Sequence, residues 1–260
     1  MKVHIVSKHP TEDRILGRLA RTLAASTGWT HSDECRPDVD LNYVIPYIYV
    51  AERWLDWNVT PLAAYFSHLE PTNPGKRRMW DHAAEKVALR VCTAPMYVEL
   101  LEATGRRPTV LARPPIDPQF TFHPREWNGG DLVGLAGWVY RDNRKGEALI
   151  SKLFGQDIAG RIRFAAAGSG WPAPIRSNEF PWDQMPIFYG SLDTYLCTSL
   201  IEGVPMPPLE ALATGCPVVI PRGVGMLDSM PETPGAVYHD NAGDLGQLVA
   251  ARYRALDQAP

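Results

Sequence analysis

No apolar run in the 260-residue chain approaches the ~18 residues that suggest a membrane span. The opening run Met1-Lys2-Val3-His4-Ile5-Val6 breaks at Ser7 and Lys8, too soon for the apolar core of a secretory signal. A cytoplasmic protein without a transmembrane segment is expected, and in such a chain the Asn58-Val59-Thr60 glycosylation sequon would never meet the glycosylation machinery. Cysteine is sparse as well. Cys35, Cys92, Cys197 and Cys216 lack the paired spacing of a zinc site or a disulfide framework, so reduced thiols and no metal are expected. A basic excess is also missing: 26 Lys and Arg face 29 Asp and Glu, a formal charge of −3, which argues against wholesale nucleic-acid binding. No repeat recurs at solenoid periods.

What is present is the composition of a globular protein, 45 % hydrophobic and 21 % charged, long enough for one large domain or two modest ones. Charge divides unevenly. The first 118 residues are near neutral and rich in histidine (His4, His9, His31, His68, His82), and the remainder is mildly acidic. Val3 to Val6 reads as a first strand, and Thr11-Glu12-Asp13 as a helix start with a hydroxyl cap and early acids. Ile15, Leu16, Leu19, Ala20, Leu23 and Ala24 then recur at helical spacing. Pro46 cuts the apolar stretch from Leu41 to Val50 into strand or loop pieces. Leu62 to Ser67 reads as a strand that delivers His68 to its carboxyl end, Asp81 to Arg90 as a helix, Val91 to Thr93 as a strand, Pro95 to Thr104 as a helix, and Val110 to Ala112 as a strand.

The segment from Pro114 to Gly130, rich in Pro and Gly and holding Phe120, Phe122 and Trp127, reads as a linker between two halves. Beyond it, strands are expected at Leu132 to Ala136, Arg163 to Ala167, Thr194 to Thr198 and Val218 to Ile220. Helices are expected at Glu147 to Phe154 and Asp244 to Leu256. Strands alternating with helices, with polar residues at strand ends, are the pattern of doubly wound α/β domains. Their ligands sit outside the carboxyl ends of parallel strands.

The richest stretch runs from Ile201 to Ile220. Glu202 and Glu210 would lie about 80° apart on one continuous helix, so they could not share a face. Pro207 or Pro208 fits a first helical position. Glu202 to Met206 is then a loop after a strand, and Pro208 to Thr214 a short helix closed by Gly215. The amides of Gly203, Val204 and Met206, with the helix start, suit a pyrophosphate. Glu202 on the loop and Glu210 in the first helical turn can accept from sugar hydroxyls. Both glutamates are equally well placed simply to favour a helix start.

The run Thr198-Ser199-Leu200-Ile201-Glu202-Gly203 through Glu210-Ala211-Leu212-Ala213-Thr214-Gly215-Cys216-Pro217-Val218-Val219 resembles the E-x7-E signature of retaining GT-B glycosyltransferases of the family 4, or group 1, type. Gly134-Leu135-Ala136-Gly137 with Arg144-Lys145-Gly146 is similar to that family's glycine and Lys-Gly element, Phe164 to Gly170 to its strand ending in a glycine turn, and Pro114 to Phe120 to its interdomain link. The resemblance is firm from about residue 110 to 256, and the chain is ~100 residues short for two full domains of this type. It implies two Rossmann-like α/β domains facing each other across a cleft. A reduced amino-terminal acceptor domain would span 1–114 and a donor-binding domain 115–242, with a closing helix at 243–257 that packs back on the first.

On this resemblance the donor is a nucleotide diphospho-sugar, a UDP-sugar by slight preference, and no further cofactor is needed. Glu202 contacts the sugar near the reacting carbon, Glu210 the ribose hydroxyls, and Lys145 neutralises the diphosphate in place of a metal. Gly137, Gly203, Val204, Pro205 and Met206 line the donor. The family usually has an Arg after the glycine matching Gly137, where this sequence has Trp138. Arg141 or Arg144 would substitute. His68 stands where the family tends to place a histidine facing the donor sugar.

Acceptor contacts are the least legible. The family's glycine-rich loop after the first strand is replaced by Ser7-Lys8-His9-Pro10-Thr11. Lys76-Arg77-Arg78, with Trp54, Trp57 and Trp80 nearby in sequence, would suit an anionic acceptor such as a lipid head group or modified DNA, but reads more simply as a solvated basic loop. The acceptor class (saccharide, lipid head group or nucleic acid) stays open. Asp38-Val39-Asp40 has the D-x-D form of metal-dependent transferases, but Pro37 and Leu41-Asn42 mark it as a turn. Three other readings remain: a GT-B phosphorylase or epimerase, a DNA-base-modifying glycosyltransferase, and a nucleotide-sugar-binding protein without turnover.

Overall fold

The computed structural model describes residues 1–8, 15–52, 61–70, 73–123, 131–140, 142–155, 162–225, 234–239, 250–251, 254–255 and 257. Outside them lie Thr11-Glu12-Asp13, the sequon, Trp54, Trp57, Trp127, Arg141 and the start of the closing helix. The chain forms two units, Met1–Pro115 and Ile116–Pro260.

In the first unit the order is β1 (Val3–Val6), α1 (Ile15–Thr27), β2 (Thr30–Ser32), β3 (Leu41–Val44), α2 (Ile48–Ala51), β4 (Leu62–Phe66), α3 (Pro74–Lys86), β5 (Leu89–Cys92), α4 (Pro95–Glu102) and β6 (Thr109–Leu111). The six strands form one sheet, β2-β1-β3-β4-β5-β6, with parallel pairing throughout. Side chains alternate across a strand, so Tyr65 and Phe66 face opposite layers. Ile5, Ile45 and Tyr65 meet Leu16, Leu19, Ala20, Leu23 and Ala24 of α1. Phe66 instead stacks on Tyr47 at 5.1 Å between ring centroids and meets Trp80 of α3 edge-on at 4.9 Å. Arg90 on β5 is wholly buried, donating from Nε to Ala84 O and from Nη1 to Leu101 O and Gly105 O. These carbonyls close α3 and α4, where the helix dipole favours a cation.

Two expectations change here. The helix expected from Asp81 begins at Pro74, because Asn73 caps it: its Oδ1 accepts from the amides of Gly75 and Lys76, both at 3.1 Å. Lys76, Arg77 and Arg78 therefore lie on a helix, not a loop. The piece after Pro46 is also a helix, α2, where strand or loop was expected.

The second unit runs β7 (Leu132–Trp138), α5 (Glu147–Phe154), β8 (Arg163–Ser169), β9 (Arg176–Asn178), a 3-10 turn (Trp182–Gln184), α6 (Met185–Ser191), β10 (Thr194–Leu196), α7 (Met206–Ala213), β11 (Val218–Pro221) and β12 (Ala236–His239). Its sheet, also parallel, has the order β12-β11-β10-β7-β8-β9. Strand order reverses between β7 and β10, the crevice where doubly wound sheets bind ligands. Leu196, Val219 and Leu135 face a layer with Ile150 and Leu153 of α5 and with Ala251 and Ala255, so at these two positions the closing helix packs on the second unit. Tyr195, Val218, Ile220 and Ala136 face the other layer, with Phe188 and Tyr189 of α6 and Ala211 of α7. Phe120, from the segment read as a linker, is buried in that layer and meets Trp182 edge-on at 5.1 Å.

Candidate functional site

The loops that leave β7 and β10 at their carboxyl ends are joined at several points. Thr198 Oγ1 donates to Lys145 O at 2.6 Å, and Leu200 N to Arg144 O at 2.8 Å. Lys145 Nζ donates to Glu202 Oε1, forming an ion pair in which each side chain is only 16 % exposed. Ser199 Oγ donates to the same oxygen at 3.0 Å. At this depth a charge is costly unless it is paired and hydrogen-bonded, and here both conditions hold.

Glycine permits this closeness. Gly146 has φ +73°, and a Cβ there would stand 2.1 Å from Thr198 O. Gly137, with φ +123°, gives its open face to Lys145, whose Cε and Nζ would lie 3.4 and 3.5 Å from a Cβ. Asn143 shapes the turn between them: its Oδ1 accepts from Ala148 N at 2.8 Å and its backbone oxygen from Gly146 N at 3.0 Å. Arg144 sits over the Tyr140 ring, 3.6 Å from the centroid, a cation–π contact beside the Lys145 loop. Trp138, in place of the family's usual Arg, is 59 % exposed. Arg141 lies outside the described residues.

The helix after Glu202 starts earlier than expected. α7 begins at Met206 with Pro205 as its N-cap. Glu210 is thus its fifth residue and not part of its first turn. Pro205, Pro207 and Pro208 carry no N–H. Amide donors in this stretch are therefore confined to Gly203, Val204, Met206 and then Leu209. Glu210 is buried, 3 % exposed, and its Oε2 accepts from the Tyr189 hydroxyl at 2.9 Å. Burial and the neighbouring Glu210 carboxylate push the Tyr189 hydroxyl well above its ordinary value, so it stays a donor. Cys197 lies close by, but burial pushes its thiol up to about 11, which leaves it protonated and a poor nucleophile at neutral pH.

In the first unit, His68 follows β4, as expected. Its Nε2 lies 3.5 Å from Glu70 Oε1, and its Nδ1 lies 3.3 Å from Ser67 Oγ. Glu70 is buried and also receives Lys76 Nζ. Arg77 pairs with Asp81 at 2.9 Å, and Arg78 is exposed. The basic triplet is thus divided, with Lys76 drawn into the His68–Glu70 cluster. The D-x-D pair is structural: Asp38 pairs with Arg36 at 2.8 Å and Asp40 accepts from Lys2 N at 2.6 Å. Among the described residues no group of three or more His, Cys, Asp or Glu side chains could hold a metal ion, and no helix is long and apolar enough to cross a membrane.

Sequence reasoning missed Tyr189, Ser199, Thr198 and Glu70. Ser199 and Thr198 sit inside the motif as unremarked hydroxyls. Tyr189 and Glu70 carried no spacing signal.

Residues 177–234 match the family described as "Glycosyl transferases group 1". No curated protein matches the chain. Among solved structures, sucrose-phosphate synthase from Thermosynechococcus elongatus aligns with a TM-score of 0.71 at 13% identity, covering 99% of this chain and 90% of that one. HepE from Anabaena, in complex with UDP-glucose, aligns with a TM-score of 0.70 at 12% identity, over 99% and 93%. TarM aligns with a TM-score of 0.63 at 10% identity over 84% of this chain, which spans about half, 51%, of the TarM chain. The fold is that of the GT-B glycosyltransferases, two parallel six-stranded α/β sheets.

Proposed function

We propose that this chain is a glycosyltransferase, a hexosyltransferase in kind. It would move a sugar from a nucleotide diphospho-sugar to an acceptor hydroxyl with retention of configuration at the anomeric carbon. The observation that carries the reading is the Lys145–Glu202 pair, a cation and a carboxylate held together where strand order reverses between β7 and β10. Departure of a nucleoside diphosphate builds negative charge on its terminal phosphate. An ammonium fixed in a water-poor site stabilises that charge far more than one in bulk water. On this reading the arriving diphosphate takes up Lys145, and Glu202, still held by Ser199, turns to the sugar hydroxyls near the reacting carbon.

The remaining roles follow. Amides of Gly203, Val204 and Met206 and the open face of Gly137 receive the phosphates, with Pro205 fixing the turn between them. Arg144, or Arg141, adds the second cation that Trp138 cannot supply. Glu210 takes the ribose hydroxyls, and His68, beside Glu70, is proposed as a catalytic residue. Exposed Arg78, with Arg77 beside it in a surface pair with Asp81, is offered to an anionic acceptor, while Lys76 serves Glu70. UDP is favoured as the nucleotide because HepE is known with UDP and with UDP-glucose.

The test is to incubate the chain with UDP-, ADP- and GDP-sugars, measure release of the nucleoside diphosphate, and read the anomeric configuration of the product by NMR. A ligand at 100 times its Kd stabilises the fold by about 2.7 kcal/mol, so a thermal-shift screen will find the donor first. An inverted product would refute retention, and binding without nucleotide release would favour the protein without turnover.

A further inference from the structure

We infer that Tyr189 is a positioning residue for Glu210, holding the carboxylate in the orientation in which it receives the ribose hydroxyls of the donor. The inference rests on the donor reading above, in which Glu210 is the ribose contact. Tyr189 is the fifth residue of α6, outside the glutamate motif, and is fully buried. Its ring is held by three others, with centroids 5.5 Å away at Phe188, 5.8 Å at Tyr195 and 6.0 Å at Phe120. Packing therefore fixes where the hydroxyl stands, and no rotamer freedom has to be lost when a ligand arrives.

From that point the hydroxyl donates to Glu210 Oε2 at 2.9 Å. The partner chemistry matters as much as the distance. An arginine or lysine here would neutralise the carboxylate. A phenol donates one hydrogen bond to the carboxylate, itself an acceptor, and brings no charge of its own. Ribose hydroxyls are donors to such an acceptor. Glu210 is the fifth residue of α7, so Tyr189 ties α6 to the helix that opens just beyond the Glu202 loop.

The experiment uses the full chain with phenylalanine at Tyr189 (Y189F) and calorimetric titration with UDP, ADP and GDP, each beside its 2′,3′-dideoxy counterpart. The wild-type chain is expected to bind one ribonucleotide at least tenfold more tightly than its dideoxy form. Y189F is expected to lose about tenfold toward the ribonucleotide and nothing toward the dideoxy form, with its circular dichroism unchanged. Equal losses toward both forms, or no loss toward either, would overturn the assignment of Tyr189 and leave the donor reading standing. Should Y189F fail to fold, E210Q keeps an oxygen for Tyr189 but replaces an acceptor by a donor. It must abolish the ribose preference, and a preference that survives overturns the proposal. A wild-type chain that binds none of the nucleotides overturns the donor reading and the Tyr189 assignment with it.

Discussion

Lys145 and Glu202 are 57 residues apart in sequence and are hydrogen-bonded side chain to side chain, bridging the loops after β7 and β10. On the donor reading, changing either one to Ala lowers kcat/KM by at least ~100-fold, about 2.7 kcal/mol of transition-state stabilisation. Because the two act on one another, the double variant should lose less than the sum of the single losses. Steady-state kinetics with the donor identified by thermal shift decides the matter. Near-normal transfer by both single variants removes the pair from the chemistry.

The approach of those two loops depends on a missing side chain. Gly146 and Gly223 both have left-handed backbones, with φ of +73° and +75°. A Cβ at Gly146 would collide with Thr198 O, while one at Gly223 meets nothing within 4 Å. Gly223→Ala should cost only the left-handed strain, roughly 1–2 kcal/mol. Gly146→Ala should cost about 2 kcal/mol more, because backbone must move and the Thr198–Lys145 hydrogen bond goes with it. Urea denaturation compares the two, and equal costs would show that the loops do not need their close approach.

How much of this was legible follows from the kind of signal each residue left. Glu202, Lys145, Gly137 and Gly146 sit in short motifs where a cation, an anion or a left-handed backbone is needed in the chain itself, and the sequence marks each. Most of the strands were legible as apolar runs, but the edge strands β2, β9 and β12 were not. An edge strand gains its place from a neighbour's backbone, not from its own side chains. The cap at Asn73 was not legible, because its capping role depends on which residues follow. Glu210 was expected in the first helical turn, since Pro207 or Pro208 was assigned to the first position. The helix begins at Met206 instead, so the prolines are its second and third residues and Glu210, its fifth, lies past the first turn with its carboxylate against Tyr189. No spacing rule links Glu210 with Tyr189 or Lys76 with Glu70, because tertiary packing brings them together.

The pairing of Lys76 with buried Glu70 separates two roles that the basic triplet left merged. The Glu70 side chain is 11% exposed and that of Lys76 32%. Lys76→Ala strips the buried carboxylate of its ammonium and should cost ~1–3 kcal/mol of stability. Arg78 is exposed, and Arg78→Ala should stay within ~0.5 kcal/mol of wild type. If the acceptor is anionic, changing Arg77 and Arg78 together should raise the acceptor KM and weaken its salt dependence while leaving stability nearly unchanged. Denaturation curves and acceptor kinetics read the two effects separately. A Lys76→Ala variant as stable as wild type would show that Glu70 does not need its cation.

Acid should weaken the first unit through two histidines on neighbouring strands. His4 is buried, with Nδ1 2.7 Å from Thr30 Oγ1 and Nε2 2.9 Å from Ser32 Oγ and 3.0 Å from Glu34 O. A carbonyl only accepts, so Nε2 carries the proton and Nδ1 accepts from Thr30. Burial holds His4 below its ordinary 6.5, and burial together with the nearby His4 and Arg21 does the same to His31, whose Nε2 lies 2.8 Å from Ser7 Oγ. Above about 6.5 both folded and unfolded chains hold these rings neutral, and the stability they contribute is complete. As pH falls through 6.5 the unfolded chain takes the protons first, and stability declines until the lower folded-state values are reached. Each histidine contributes at most about 1.4 kcal/mol per pH unit over that window. Denaturation midpoints measured between pH 7.5 and 5 should fall on the acid side, and H4Q and H31Q should each flatten the decline. An unchanged slope in both variants would assign the acid sensitivity to other groups.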